Sequence, residues 1–263
     1  MEIINDKIDS GKAFDFGRTS KGYAKYRDIY PKEFYKKLVD CGVGVSGQKC
    51  LDLGTGTGVI PRNMYQYGAE WTGTDISENQ IAQADLLARA NKMNIDFKVV
   101  SAENLDFPDE SFDIITACQC FWYFDTKELA PKLAKMLKKD GRLVVMQMAW
   151  LPEEDRIAGL SEKLVLEYNP EWSGGGWTRQ PVNISDDVLN SFDVVYRAGY
   201  DLNVHFTRES WNGRMKTCRG IGASLSEAEI AAWDREHRAL LALTAPEEFD
   251  VLHYAAIAIL KKK

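Results

Sequence analysis

Short runs of strand-forming residues alternate with amphipathic segments along the middle of the chain. The runs at 49–53, 70–75, 95–100, 112–118 and 141–149 predict strands. Between them the spacing of apolar residues predicts helices, among them 78–91 and 127–137. Five successive strand–helix periods predict an α/β fold, a Rossmann-like, doubly wound, mostly parallel sheet with helices on both faces.

The pattern changes on both sides of this region. Residues 19–40 predict a helix that bends at Pro31, because proline removes a helical donor. Beyond Trp150, a helical pattern at 157–168 meets three glycines at 174–176, which predict a mobile loop. Strands at 192–206 and 249–260 and helices at 210–218 and 226–243 follow. We expect three parts: a helical lid segment at 1–46, an α/β core at 47–150, and a cap insertion at 151–263 that also supplies the last strands and helices of the sheet.

Composition narrows the class of protein. The 263 residues carry 33 Lys+Arg against 39 Asp+Glu, a net charge of −6, with 45% hydrophobic residues. This is a globular composition, and no apolar stretch approaches the ~20 residues that span a bilayer. Without a basic run or a signal-like start, we expect a cytoplasmic protein with neither a nucleic-acid partner nor a membrane. The five scattered cysteines predict reduced thiols and no metal site.

A glycine-rich turn follows the first predicted strand of the core. Gly54, Gly56 and Gly58 alternate with threonines and come directly after Asp52 and Leu53. Glycines at the carboxyl end of a parallel strand allow a ligand to approach the backbone. A dinucleotide fingerprint would need a glycine where Val59 stands. The alternative is a tight turn that binds nothing.

An acidic residue ends the second strand. The Asp75 carboxylate can accept both hydroxyls of a ribose, which suits an adenosine with a free 2′-OH. Ile76 would then lie against the adenine. The alternative role for Asp75 is the N-cap of the next helix, which Ser77 could fill instead.

These motifs resemble those of the class I S-adenosylmethionine-dependent methyltransferases of the small-molecule type. The resemblance rests on Leu51–Gly58, on Asp75 and on the segments 101–105 and 107–113, and it extends over at least residues 47–147. It implies S-adenosylmethionine as methyl donor, S-adenosylhomocysteine as product and a small-molecule acceptor. The implied cofactor-binding residues are Asp52, Gly54, Thr55, Gly56, Asp75, Ile76, Ala102 and Glu103. Ser101 stands where relatives often carry Asp, so the contact to adenine falls to the backbone of Ala102.

Two further segments resemble this family. The segment 16–31 is similar to an amino-terminal lid, in which Tyr23 and Arg27 would close over the cofactor; a solvent-facing helix is the alternative. The segment 118–125 resembles a family motif in which Gln119 touches the cofactor, although Trp122 replaces its histidine. Trp122 and Tyr123 would wall the acceptor pocket, or else pack in the core.

Methyl transfer from a sulfonium is an in-line displacement, so the protein mainly aligns donor and acceptor. If a base is needed, His205 is the candidate, because His237 fits a surface position and His253 a packed one. A carboxylate acceptor could instead be oriented by Arg214 or Arg219. Trp177 and Trp211 lie in the predicted acceptor-specific cap. The alternatives are an NAD(P)-dependent oxidoreductase, a non-catalytic cofactor-binding domain, and a tRNA-modifying enzyme of the same fold.

Overall fold

The computed structural model describes residues 2–263, which contain a seven-stranded sheet. The strands are β1 (Lys49–Leu53), β2 (Glu70–Asp75), β3 (Asp96–Val99), β4 (Phe112–Cys118), β5 (Leu137–Trp150), β6 (Phe192–Thr207) and β7 (Glu248–Lys262). Their order across the sheet is β3-β2-β1-β4-β5-β7-β6. The pairs β1–β2, β1–β4, β2–β3 and β4–β5 are parallel. The α/β, Rossmann-like fold expected from the alternating pattern is confirmed.

Helices connect or flank these strands. They are α1 (Ser20–Tyr26), α2 (Lys32–Asp40), α3 (Val59–Met64), α4 (Glu78–Ala90), α5 (Thr126–Met136), α6 (Arg156–Tyr168), α7 (Asp186–Leu189), α8 (Arg208–Lys216) and α9 (Glu227–Thr244). Short 3-10 turns lie at Asp9–Gly11, Phe16–Thr19, Tyr65–Tyr67, Ala102–Asn104 and Phe121–Tyr123. The bent helix expected over 19–40 is divided into α1 and α2, and Pro31 is the N-cap of α2, a position where its missing N–H costs no helical hydrogen bond. Within residues 2–263 no helix is long and apolar enough to cross a membrane.

The chain divides into two compact units. The sheet unit consists of Tyr30–Met148, Gln180–Tyr200 and Ala255–Lys263. The helical unit consists of the residues up to Ile29, Ala149–Arg179 and Asp201–Tyr254. This division differs from the expected parts, since both 1–46 and 151–263 are shared between the units. The reason is that β6 and β7 pair within the sheet, whereas α9 packs against α6 and α8.

Each unit has its own core. In the sheet unit the central strands are apolar on both faces, as parallel strands covered by helices must be; Leu51, Leu53, Ile114 and Ile115 are all buried. In the helical unit the largest fully buried side chains are Trp211, Trp233, Phe14 and Phe206.

Candidate functional site

The turn after β1 is built on left-handed backbone. Gly54, Gly56 and Gly58 have φ of 56°, 56° and 73°, a region that residues with a Cβ rarely adopt. A Cβ at Gly58 would lie 2.7 Å from the Phe97 ring, so packing also requires a glycine there. The backbone N–H of Thr55 donates to Thr74 O at 2.8 Å and holds the turn against β2. The turn is therefore set both by its conformation and by its neighbours.

Asp52 lies beneath this turn and is buried. Its two carboxyl oxygens accept the hydroxyls of Thr55, at 2.7 Å, and of Thr116, at 2.6 Å. Burial raises the pKa of Asp52 to about 7, and the two hydroxyl hydrogen bonds oppose that rise. Asp52 thus ties the turn to β4 from below, and its contact with the cofactor stays a prediction.

Asp75, at the end of β2, is fixed by two backbone donors. Its Oδ2 accepts the N–H of Gly56 at 2.9 Å, and its Oδ1 accepts the N–H of Ser77 at 2.9 Å. Burial raises the pKa of this carboxyl, and these hydrogen bonds act against the rise. Ser77 is the N-cap of α4, since its side chain accepts from Gln80 N. The capping role thus belongs to Ser77, and the structure brings Asp75 against the glycine turn.

The ends of β2 and β3 provide further predicted positions in the sheet unit. Ile76 follows Asp75 with 37% of its surface exposed, an apolar face beside a carboxylate. Ala102 is buried in the 3-10 turn after β3. Glu103 accepts the backbone N–H of Asp125 at 3.2 Å and so contacts the start of α5. The adenine roles of Ile76, Ala102 and Glu103 stay predictions.

Gln119, directly after β4, has a strained backbone. Its φ of 61° is left-handed for a residue that is not glycine, and its side-chain amide donates to Met148 O. Such outliers persist only where surrounding contacts hold them, and they are concentrated at functional positions. On either side, the thiol of Cys118 lies 3.3 Å from Tyr30 Oη and that of Cys120 lies 3.1 Å from Leu53 O. The two thiols therefore contact different residues.

The aromatic segment after β4 separates into a buried and an exposed part. Phe121 is buried, Tyr123 is half-buried, and Trp122 has 42% of its surface exposed. The rings of Trp122 and Tyr123 are 5.6 Å apart and tilted by 51°. Phe121 therefore lies in the core, and the exposure of Trp122 excludes a core position for that side chain. The place of Trp122 and Tyr123 in an acceptor pocket stays a prediction.

In the helical unit the predicted lid residues contact each other. The guanidinium of Arg27 lies 4.5 Å from the Tyr23 ring centroid, and its Nη2 donates to Tyr23 Oη at 3.4 Å. Trp177, half-buried, donates from its indole to Gly174 O at 3.1 Å. The loop that we expected to be mobile is tied at both ends: the backbone N–H of Ser173 donates to Asp9 at 2.7 Å and that of Gly176 to Glu162 at 2.9 Å.

The two candidate arginines of the helical unit differ sharply. Arg219 is buried and makes a bidentate ion pair with Asp9, with Nε–Oδ2 at 2.6 Å and Nη2–Oδ1 at 2.9 Å. Arg214 is also buried, but its Nε and Nη1 have no hydrogen-bond partner among residues 2–263. Its guanidinium lies 4.8 Å from the ring centroid of Trp150. Trp211 is fully buried and donates to Ser161 Oγ at 2.9 Å, the position of a packing residue.

The three histidines occupy different environments. His205 has an exposed side chain whose Nδ1 lies 3.1 Å from Asp250, and its role as a base stays a prediction. His253 is packed as expected, and burial lowers its pKa to about 4. The surface position expected for His237 is wrong, because His237 is fully buried and bonded to Asn212 and Ser161. Burial lowers its pKa to about 3.

The burial of His237 and the contact between Trp150 and Glu162 were not predicted, although the burial of His237 leaves a signal in the sequence. His237 lies on the buried face of α9 with Ile230, Trp233 and Leu241, and this helical spacing could have placed it inside. Trp150 and Glu162 leave none, since nothing in the sequence shows that the indole of Trp150 donates to Glu162.

The family model of the methyltransferase domain matches residues 51–145. The uncharacterized methyltransferase YcgJ of Bacillus subtilis is 30% identical over 187 residues, which span 68% of each chain. The chain belongs to the class I S-adenosylmethionine-dependent methyltransferases. This methyltransferase is also 24% identical to the ubiquinone biosynthesis O-methyltransferase of Pseudomonas fluorescens, over 64% of its own length and 80% of the relative. It spans about half the length, 52%, of a candidate methyltransferase of Dictyostelium discoideum, at 26% identity.

Solved structures share the fold of this methyltransferase. The crystal structure of YcgJ matches with a TM-score of 0.52 and 19% identity, over 89% of this chain and 100% of that one. Phosphoethanolamine N-methyltransferase 2 of Haemonchus contortus, solved with S-adenosylhomocysteine and phosphomonomethylethanolamine, matches with a TM-score of 0.55 and 15% identity. That match covers 93% of this chain and 58% of the other. The oxidoreductase alternative has no support among these relatives, which are named as methyltransferases.

Proposed function

We propose that the methyltransferase binds S-adenosylmethionine at the glycine turn and Asp75, and transfers its methyl group to a small-molecule acceptor. The observation that carries the proposal is the placement of Asp75. Two backbone donors, from Gly56 and Ser77, orient its carboxylate at the end of β2. A carboxylate in that position can accept ribose hydroxyls without rearranging.

The residues present fit this cofactor. The left-handed turn at Gly54 and Gly56 has no Cβ to obstruct a ligand at the backbone. Exposed Ile76, next to Asp75, offers an apolar face for adenine. Buried Ala102 can present its backbone to the adenine edge. That contact does not depend on the side chain of Ser101. The methionine part would meet Thr55 and Gln119.

Bound S-adenosylmethionine supplies a methyl group on a positively charged sulfonium. The chain's own residues then have to align the acceptor and exclude water, because an in-line displacement needs orientation more than acid–base chemistry. Trp122 and Tyr123 would provide an aromatic wall for the acceptor. His205 remains the candidate base if the acceptor carries a hydroxyl proton, and its exposed position would let it release that proton to solvent.

The proposals for the methyl acceptor and for the cellular location rest on amino-acid composition. A net charge of −6 disfavours the phosphate backbone of a nucleic acid, so we infer a small molecule. Retention of the protein on tRNA at ~150 mM salt would contradict this inference. The five cysteines are all free thiols, which supports a reducing, cytoplasmic location.

Isothermal titration tests the cofactor assignment. The wild type should bind S-adenosylmethionine and S-adenosylhomocysteine but neither NADH nor NADPH. Asp75→Asn should weaken S-adenosylhomocysteine binding by about 1–3 kcal/mol, because ribose hydroxyls lose their charged acceptor. Asp85→Asn, on the exposed face of α4, is the matched control and should leave affinity unchanged. Preference for a nicotinamide, or full affinity in a folded Asp75→Asn variant, would refute the proposal.

A further inference from the structure

A buried cation without a counter-charge lies in the helical unit. Arg214 on α8 is only 6% exposed, and two of its three guanidinium nitrogens, Nε and Nη1, are sealed from solvent without a partner among residues 2–263. Burial of an unsatisfied charged group costs several kcal/mol in a folded protein. The other buried arginine of this unit, Arg219, has a carboxylate as its partner, since its Nε and Nη2 donate to the two oxygens of Asp9. Arg214 therefore lacks the anion that usually accompanies a buried arginine.

The surroundings of Arg214 are aromatic. Its guanidinium lies on Trp150, whose ring is 5.6 Å from Trp211 in an edge-on arrangement, and Trp211 lies 4.9 Å from Phe206. Glu162, the carboxylate that contacts the same indole, is bonded to Trp150 Nε1 and to the backbone of Gly176 instead. The surroundings of Arg214 thus combine aromatic rings with one carboxylate, that of Glu162, which is bonded to other groups.

A second polar atom without a partner borders these aromatic rings. His253 lies 6.4 Å from Trp150 and stacks on Phe206 at 6.1 Å. Its Nδ1 is bonded to Val251 O at 2.9 Å, and its Nε2 is buried and has no partner. Because Nδ1 is the donor, Nε2 of the neutral ring is an acceptor. His253 therefore has no second N–H with which to bind an anion in competition with Arg214.

We propose that Arg214 binds the carboxylate of a small organic ligand beside Trp150, on whose ring its guanidinium lies. A single guanidinium matches a monoanionic carboxylate in charge and in its planar, bidentate geometry. A phosphate dianion would bring excess charge among aromatic rings. The ligand is a small organic acid, and its binding to Arg214 does not depend on the proposed function.

Thermal denaturation in carboxylate-free buffer tests the first step. Arg214→Met removes a cation without a partner, so the midpoint should stay or rise. Arg219→Met removes a paired cation and strands Asp9, so the midpoint should fall. A fall of similar size in both variants would mean that Arg214 only packs on Trp150, and would overturn the proposal.

Ligand binding tests the second step, with benzoate as probe and neutral benzamide as its matched control. Benzoate should raise the midpoint of the wild type more than benzamide does, and Arg214→Met should lose that difference. Equal shifts by the two probes, or an unchanged benzoate shift in Arg214→Met, would refute a carboxylate site.

Cofactor titration separates this site from the proposed function. Arg214→Met should bind S-adenosylhomocysteine as the wild type does while its benzoate selectivity is lost. Weaker binding of S-adenosylhomocysteine to the variant would overturn the assignment to a separate organic acid, whereas failure of the wild type to bind S-adenosylhomocysteine would refute the proposed function alone.

Discussion

The carboxyl of Asp52 makes the stability of this protein depend on pH near neutrality. An exposed aspartate has a pKa of 3.8, whereas burial raises that of Asp52 to about 7. Between these values the folded protein holds a proton that the unfolded chain has released. The free energy of unfolding therefore falls as the pH rises from about 4 to about 7, and levels off above it.

The size of this change in the free energy of unfolding follows from the difference between the two pKa values. About three pH units at about 1.4 kcal/mol each give at most about 4 kcal/mol, of which roughly 3 kcal/mol lie between pH 5 and pH 8. Asp52→Asn keeps the size of the side chain and two groups that can bond the hydroxyls of Thr55 and Thr116, but removes the titration. The variant should lose this part of the pH dependence.

Urea unfolding, followed by tryptophan fluorescence at pH 5 and pH 8, measures the effect. The other titrating groups are common to both proteins, so the difference between wild type and Asp52→Asn isolates Asp52. Asp85→Asn, at an exposed position, should behave as the wild type does. If the free energy of unfolding falls equally in the wild type and in Asp52→Asn between pH 5 and pH 8, burial does not raise the pKa of Asp52 as described.

Two further substitutions probe the turn and the buried ion pair. Gly58→Ala combines a left-handed φ of 73° with a Cβ 2.7 Å from the Phe97 ring, whereas Gly47→Ala has a φ of 85° and no atom within 4 Å. Gly58→Ala should therefore destabilise the protein by more than the ~1 kcal/mol expected for Gly47→Ala, and equal losses in urea unfolding would show that Phe97 yields freely. Asp9→Ala should cost about 3–5 kcal/mol by stranding Arg219, and Asp9→Asn less; a loss below about 1 kcal/mol for Asp9→Ala would contradict the buried pair.

Periodicity predicted most of the fold because its signals are local. The bounds expected for β2 and β4 match those observed. β4 is a mainly apolar run, and β2 contains an aromatic residue and two β-branched threonines, which are typical of strands. β5 begins four residues earlier than expected, at Leu137 instead of Gly141, because α5 ends at Met136 and the strand follows without a loop. The short helix α7 was not expected, since four residues are too few to show a helical period.

The geometry of the glycine turn and of Asp75 was also largely predictable from the sequence. Gly54, Gly56 and Asp75 lie at the ends of neighbouring strands, and adjacent parallel strands bring such positions together whatever the rest of the chain does. That is why the contact between Asp75 and the N–H of Gly56 agrees with the motif. The role of Asp52 beneath the turn could not be read, because it depends on Thr116, 64 residues away.

The sequence by itself determined the class of fold, the glycine turn and the acid after β2, since each depends on residues near one another along the chain or on the alternation of strands and helices. Only the tertiary structure decided which arginine has a counter-ion. Asp9 lies 210 residues before Arg219, and no local pattern links them. Pairing of distant charges follows from packing, and among residues 2–263 it leaves Nε and Nη1 of buried Arg214 without a hydrogen-bond partner.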